Sequence, residues 1–223
     1  MNKKPQLLIF DVNETLLDMN PLKESVNSAF QNENAFDVWF PMLLQYSLVE
    51  TITGQYHDFS EIAAASLQML AEKWGFSYTE KEMKKILEPV KKLPPYPDVP
   101  KGLEKLKKAD VILVALTNGK PEVAEGQLIF ANIDRFFELI LSVEVVKKYK
   151  PHAATYNYVL EQTGTSAENS MMVAAHGWDI AGAKSAGLRT AFIERAGKSA
   201  YPLAEKPDLQ VASVTTLAEK LLL

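Results

Sequence analysis

Leu7-Leu8-Ile9-Phe10-Asp11-Val12-Asn13-Glu14-Thr15-Leu16-Leu17-Asp18 is the stretch on which the fold turns. Its apolar start suits a strand buried on both faces, as in a parallel sheet. The run stops at a carboxylate, Asp11, and the turn-prone residues Asn13, Glu14 and Thr15 follow. A carboxylate at the carboxyl end of the first strand of an open α/β sheet stands where such sheets bind ligands. Capping the next helix is the plainer use of the same residue.

Downstream, the periodicity changes. Leu22, Val26 and Phe30 fall at helical spacing, as do Trp39, Leu43, Tyr46, Val49 and Ile52. Ile62, Ala65, Met69, Leu70 and Trp74 continue the pattern, followed by Met83, Ile86, Leu87 and Val90. A helical block of ~75 residues is too long for an ordinary connection. A helical cap over 18–93 is therefore expected, inserted into a core made of 1–17 and 94–223. The proline-rich segment Leu93-Pro94-Pro95-Tyr96-Pro97-Asp98-Val99-Pro100 leads back into that core.

In the core, strands are expected at 111–116, 137–142, 171–174, 189–193 and 209–211. Helices are expected from Gly102, over 123–130, through Tyr156, and up to a capping Gly187. Alternating strands and helices imply an α/β fold, a Rossmann-like parallel sheet with helices on both faces. Its strand ends would gather Asp11, Thr117-Asn118 and His176 with Asp179 at one crevice, with Lys150 in a loop nearby.

Composition narrows the function classes. The 223 residues are 47% hydrophobic and 23% charged, with a net charge of −4. That balance gives no basic signal for nucleic acid or an anionic membrane surface. The absence of cysteine removes disulfides, thiolate nucleophiles and Cys-ligated zinc. No apolar run approaches the ~20 residues of a spanning helix, and the chain starts almost directly on its first strand. A cytoplasmic location is the expectation.

Asp11 with Thr15, then Thr117-Asn118-Gly119, then Lys150-Pro151, then a glycine-containing turn with Asp179, is a four-motif order. It resembles that of the haloacid dehalogenase superfamily and spans the core. Phosphatases of that superfamily carry a second Asp two residues after the nucleophile, as general acid. Here that position is Asn13, which does not transfer a proton in this way. The acid expected about five residues before Asp179 is Ala174, which leaves a poor magnesium site. The resemblance is then to the L-2-haloacid dehalogenase branch, through cap and core alike.

That resemblance implies hydrolysis of a short L-2-haloalkanoate to the 2-hydroxy acid with inversion at C2, and no metal or other cofactor. Asp11 would displace halide to form an aspartyl ester, which water then hydrolyses. Thr15, Thr117, Asn118, Lys150, Tyr156, Trp178 and Asp179 carry over as site residues, with Lys150 and Thr117 holding the substrate carboxylate. A homodimer formed partly through cap helices is also implied. A related hydrolase or phosphatase using the same aspartyl intermediate, and a non-catalytic binder of a small acid, remain as alternatives.

Two departures from the branch stand out. The Arg that commonly follows a cap Trp is Phe40 here, after Trp39, so halide would rest on Asn118 and aromatic ring edges. On the fourth motif, Ala174 and His176 replace the usual Ser and Asn, and Glu14 replaces a small residue before Thr15. A Glu14–His176 dyad would supply a base for ester hydrolysis. His57 and His152 lack such a setting and are expected at the surface.

Overall fold

The computed structural model describes residues 4–222. Six strands form one parallel sheet: β1 (Leu7–Phe10), β2 (Ile112–Thr117), β3 (Leu139–Ser142), β4 (Ser170–Ala174), β5 (Arg189–Ile193) and β6 (Leu209–Val211). Their spatial order is β3-β2-β1-β4-β5-β6. β1 is central, paired through Phe10 with Ala115 on one side and with Val173 on the other. All four of its residues are fully buried, which is why its sequence is apolar without alternation. The chain builds outward from β1 to β3, then crosses back to the other side at β4. The switch point, where a crevice opens, therefore lies at the carboxyl ends of β1 and β4.

Between β1 and β2 the described residues form helices α1 (Asn20–Ala29), α2 (Ala35–Thr53), α3 (Phe59–Trp74) and α4 (Glu80–Leu87), then a short 3₁₀ turn over Glu88–Lys91. Phe30 anchors this block, with Trp74, Phe76 and Tyr78 edge-on to it at 5.8, 5.3 and 5.5 Å. Capping boxes at Asp58/Glu61 and Thr79/Glu82 start α3 and α4. None of these helices is long and apolar enough to cross a membrane.

The core helices are α5 (Val99–Lys107), α6 (Pro121–Phe130), α7 (Ala153–Thr163), α8 (Gly177–Ser185) and α9 (Val214–Leu222). α5 and α6 begin earlier than their periodicity indicates. Each carries a proline in its first turn, where the missing N–H costs nothing. β3 is shorter than expected at its start, because a 3₁₀ turn over Asp134–Phe136 leads into it. Gly187 adopts φ 85° just beyond α8, and its N–H and that of Leu188 close the helix on Lys184 and Ala183.

Several contacts hold the helical block over the sheet's carboxyl edge. Tyr149 donates its N–H to Thr51 Oγ1 at 2.9 Å and its hydroxyl to the His57 carbonyl at 2.5 Å. Lys120 pairs with Asp58 at 3.0 Å. Gln127 donates to the Val90 carbonyl at 2.7 Å.

Candidate active site

Asp11 follows β1 and His176 follows β4, so the two strands that flank the switch point bring them together. Asp11 Oδ1 accepts from Lys150 Nζ at 2.8 Å. Its Oδ2 accepts from the Thr15 hydroxyl at 2.6 Å and from His176 Nδ1 at 3.0 Å. Thr15 is itself held by the Ala175 N–H at 2.9 Å. The i to i+4 spacing of Asp11 and Thr15 thus closes a turn whose hydroxyl bridges β1 and β4. The backbone N–H groups of Val12 and Asn13 donate to no protein acceptor among the described residues.

Lys150 is almost completely buried, and its ammonium lies between two carboxylates. It donates to Asp11 at 2.8 Å, to Asp179 Oδ2 at 2.7 Å and to the Leu116 carbonyl at 3.2 Å. Burial alone would lower its pKa, but Asp11 and Asp179 raise it. Burial alone would raise Asp11, yet the Lys150 charge and the His176 hydrogen bond hold its carboxyl well below the usual carboxylate range. Asp179, fully buried, is raised by desolvation and by the charge of Asp11, against the pull of Lys150. Asn118 Oδ1 receives the Lys150 N–H at 3.0 Å and fixes the loop that delivers the lysine.

His176 occupies the residue before α8 but does not cap that helix with its side chain. Its Nε2 lies 2.9 Å from Glu14 Oε2 while its Nδ1 faces Asp11. Both partners are carboxylates, which accept only, so both ring nitrogens donate and the ring is an imidazolium. Burial would lower its pKa, but Asp11 and Glu14 push it up to about 9. Glu14 reaches the ring from a left-handed backbone, φ 60°, which costs a residue with a Cβ about 1–2 kcal/mol. Lys198 donates to the same Glu14 oxygen at 2.6 Å. Burial would raise Glu14, but His176 and Lys198 together hold it below its ordinary value. Trp178 stacks on the His176 ring at 5.0 Å.

Beside this cluster, a mostly apolar pocket of about 80 Å³ opens between the helical block and the sheet. Trp39, Phe40, Leu43 and Phe59 line it from the helices. Asn13, Gly119 and Lys120 line it from the core. Asn13, two residues past Asp11 in the chain, is the lining residue nearest to it in sequence. Phe40, stacked on Phe36 at 5.3 Å, is a pocket wall and also part of the packing.

Of the residues singled out in the sequence, Asp11, Glu14, Thr15, Lys150, His176 and Asp179 meet in one network. Several roles shift. Lys150 spends its three N–H bonds on protein groups, so it has none left for a substrate carboxylate. Thr15 is fully buried and orients Asp11, so it does not touch a ligand. Tyr156 is fully buried and gives its hydroxyl to Asp179 Oδ1 at 2.6 Å, so it positions that carboxylate. With both oxygens engaged and no exposure, Asp179 does not face the crevice as a base. Thr117 accepts the Gly119 N–H through Oγ1 at 3.0 Å, and its hydroxyl hydrogen is left for another partner. His57 and His152 are exposed.

The sequence reading missed Lys198, Gln127 and Lys120. Lys198 lies in a loop after β5 with no motif around it. Gln127 sits on an exposed-looking helix but is buried, bonded to Asn13 Oδ1 at 3.2 Å. Lys120 directly follows the Thr-Asn-Gly motif, which was a usable signal.

Magnesium, the metal of many proteins of this fold, does not suit this donor set. The Lys150 ammonium already fills the space between Asp11 and Asp179. Asn13 turns its side-chain oxygen to Gln127, and Ala174 offers no ligand.

Comparison with known proteins agrees with this fold. Over 211 residues the chain is 27% identical to haloacetate dehalogenase H-2 of a Moraxella species, covering 94% of each. It is 29% identical over 217 residues to (S)-2-haloacid dehalogenase 1 of a Pseudomonas species, covering 96% of this chain and 95% of that one. The solved L-2-haloacid dehalogenase of Xanthobacter autotrophicus superposes with a TM-score of 0.90 at 24% identity, over 96% of this chain and 97% of that one. The family model for haloacid dehalogenase-like hydrolases matches residues 8–193. That match spans most of the chain, from β1 through β5, and the chain belongs to the haloacid dehalogenase-like hydrolase family.

Proposed function

We propose that this protein hydrolyses short L-2-haloalkanoic acids to 2-hydroxy acids through an ester on Asp11, with inversion at C2. The observation that carries this is the Asp11 carboxylate, kept ionised by Lys150 at the end of β1, two residues before Asn13 in the wall of a small apolar pocket. Asn13 stands beside it where a proton donor would be needed for a phosphate leaving group. A halide leaves without a proton, so an asparagine there is no handicap.

Oδ1 of Asp11 carries one hydrogen bond and Oδ2 two, which leaves Oδ1 the freer lone pair for attack at C2. The substrate carboxylate would bind the N–H groups of Val12 and Asn13 and the hydroxyl of Thr117. The pocket takes the alkyl group and the halogen. Asn118, the ring edges of Trp39 and Phe40, and the Lys120 cation in the pocket wall receive the departing halide. Water then attacks the ester at Asp11 Cγ, giving its proton to His176 as Glu14 holds the ring.

We also take residues 18–93 as a cap that closes this pocket, and the protein as a cytoplasmic homodimer. Leu48, Val49 and Ile52 at the end of α2 supply exposed apolar surface for a second copy. Light scattering tests the dimer. The central test is halide release from chloro-, bromo- and fluoro-acids, each enantiomer separately, with phosphate release from phosphate esters alongside. Halide from the L-enantiomers alone is expected. Phosphate release without halide would overturn the assignment.

A further inference from the structure

The resting geometry poses a contradiction: the residue assigned as base already holds both of its protons. Each His176 nitrogen faces a carboxylate oxygen, at 3.0 Å on Asp11 and 2.9 Å on Glu14. An imidazolium takes no further proton from water. Ester formation resolves this, because it converts Asp11 from an anion into a neutral group at the Nδ1 side alone.

We propose that Asp11, His176, Glu14 and Lys198 act as one proton unit, in which His176 is an imidazolium while Asp11 is a carboxylate and becomes a base only when Asp11 is esterified. The proposal rests on the haloacid reading above for its chemical steps. In the first half-reaction the Asp11 carboxylate forms a C–O bond to C2 and the carbon–halogen bond breaks. Halide departs, and His176 loses its Nδ1 proton to solvent. In the second, water attacks Asp11 Cγ and gives one proton to Nδ1. The bond from Cγ to the ester oxygen then breaks, the second proton of the water passes to that departing oxygen, and the 2-hydroxy acid leaves. Asp11 is a carboxylate again, now with the water oxygen, and His176 is again an imidazolium. The one proton that the overall hydrolysis produces therefore appears with the halide.

The geometry fits this order. Nδ1 is the nitrogen beside the ester carbon, so the base is already aimed at the water's target. Nε2–H stays on Glu14, which fixes the tautomer. Facing the ring are Asp11, Glu14 and the Trp178 face, with Lys150 and Thr15 on the carboxylate behind Asp11. Lys198 is the outermost member and acts as a positioning residue that keeps Glu14 ionised. Its loop is pressed against α8: a Cβ on Gly177 would lie 2.5 Å from the Ser199 carbonyl and 2.8 Å from the Tyr201 N–H nitrogen. The lysine opposes the imidazolium from the far side, so its removal should raise the proton affinity of His176.

Two measurements test this. In a weakly buffered stopped-flow reaction with an L-2-haloacid and a pH indicator, one proton per halide is expected in the pre-steady-state burst. Protons that appear only later, with hydroxy acid, would overturn the proposal. The second needs no substrate: ring-nitrogen NMR titration, simple because the chain has three histidines. His176 should titrate near 9 in the wild type. It should fall by at least two units in Asp11→Asn, whose amide mimics the neutral ester, with mass spectrometry showing that the amide persists. An unchanged His176 would sink the coupling. A lowered His176 with no halide from any haloacid would uphold the coupling and overturn the haloacid reading instead. In Lys198→Gln the pH limb of ester hydrolysis should move upward by about half a unit or more. An unmoved limb with normal turnover would remove Lys198 from the unit.

Discussion

Glu14 Oε2 lies 2.9 Å from His176 Nε2, although 162 residues separate the two in sequence. The contact exists because β1 and β4 are neighbours in the sheet and each turn beyond them points into the same crevice. Glu14 bends back from a left-handed backbone to make it. Backbone strain of this kind clusters at functional sites and persists only where the surrounding structure holds it.

His176→Asn keeps size and polarity but removes the titratable ring. One equivalent of halide in a burst is expected, followed by turnover at least a hundredfold slower, the usual reach of a general base. Intact-protein mass spectrometry should find substrate-derived mass on Asp11. Glu14→Gln should stall less, because the ring remains but loses its fixed tautomer. Unimpaired turnover in His176→Asn would assign the base elsewhere.

Lys150→Ala removes the cation shared by Asp11 and Asp179 and leaves two carboxylates facing each other in a dry interior. A stability loss of about 3–5 kcal/mol is expected, with activity falling below detection. Urea unfolding and halide assays read the two effects separately. A variant of normal stability would mean that the two carboxylates already share a proton.

Exhaustive chelation should leave halide release unchanged, since Asn13 and Ala174 stand where metal-dependent relatives place acids and no cluster of three potential metal ligands occurs among the described residues. Dialysis against EDTA, followed by assays with and without added magnesium, checks this. Activity that returns only with magnesium would overturn it.

Tyr156→Phe deletes the 2.6 Å hydrogen bond to Asp179 and leaves that buried carboxylate short of a donor. A loss of about 1–3 kcal/mol in stability is expected. kcat should drop with KM nearly unchanged, because the hydroxyl faces Asp179 and not the pocket. A rise in KM at constant kcat would put the tyrosine in contact with substrate.

Stability should depend on pH through His176. Its folded value of about 9 lies above the ordinary 6.5, so the folded state binds that proton more tightly. The resulting stabilisation is fully present below about 6.5 and is lost as pH rises through 9, on the order of 3 kcal/mol in all. Urea midpoints between pH 6 and 10 should show the decline, and His176→Asn should flatten it.

The sequence by itself determined the parallel sheet, the chain order of its elements and the carboxylate at the end of the first strand. An unbroken apolar run ending at Asp11 reads as a buried parallel strand because burial on both faces leaves no polar alternation. Helical periodicity without a strand from Leu22 to Val90 likewise marked the inserted block. Pairing Glu14 with His176 was also legible, because both replace commoner residues at two strand ends. The proton state of His176, the shared ammonium of Lys150 and the burial of Tyr156 and Asp179 were decided by the tertiary structure alone. These depend on which oxygen each donor reaches and on how far water is excluded, and residue spacing carries neither. Lys198 shows the difference most plainly. It is one lysine among many in the sequence, and it gains a role only because its loop folds across the N-terminal end of α8 and sets its ammonium 2.6 Å from Glu14.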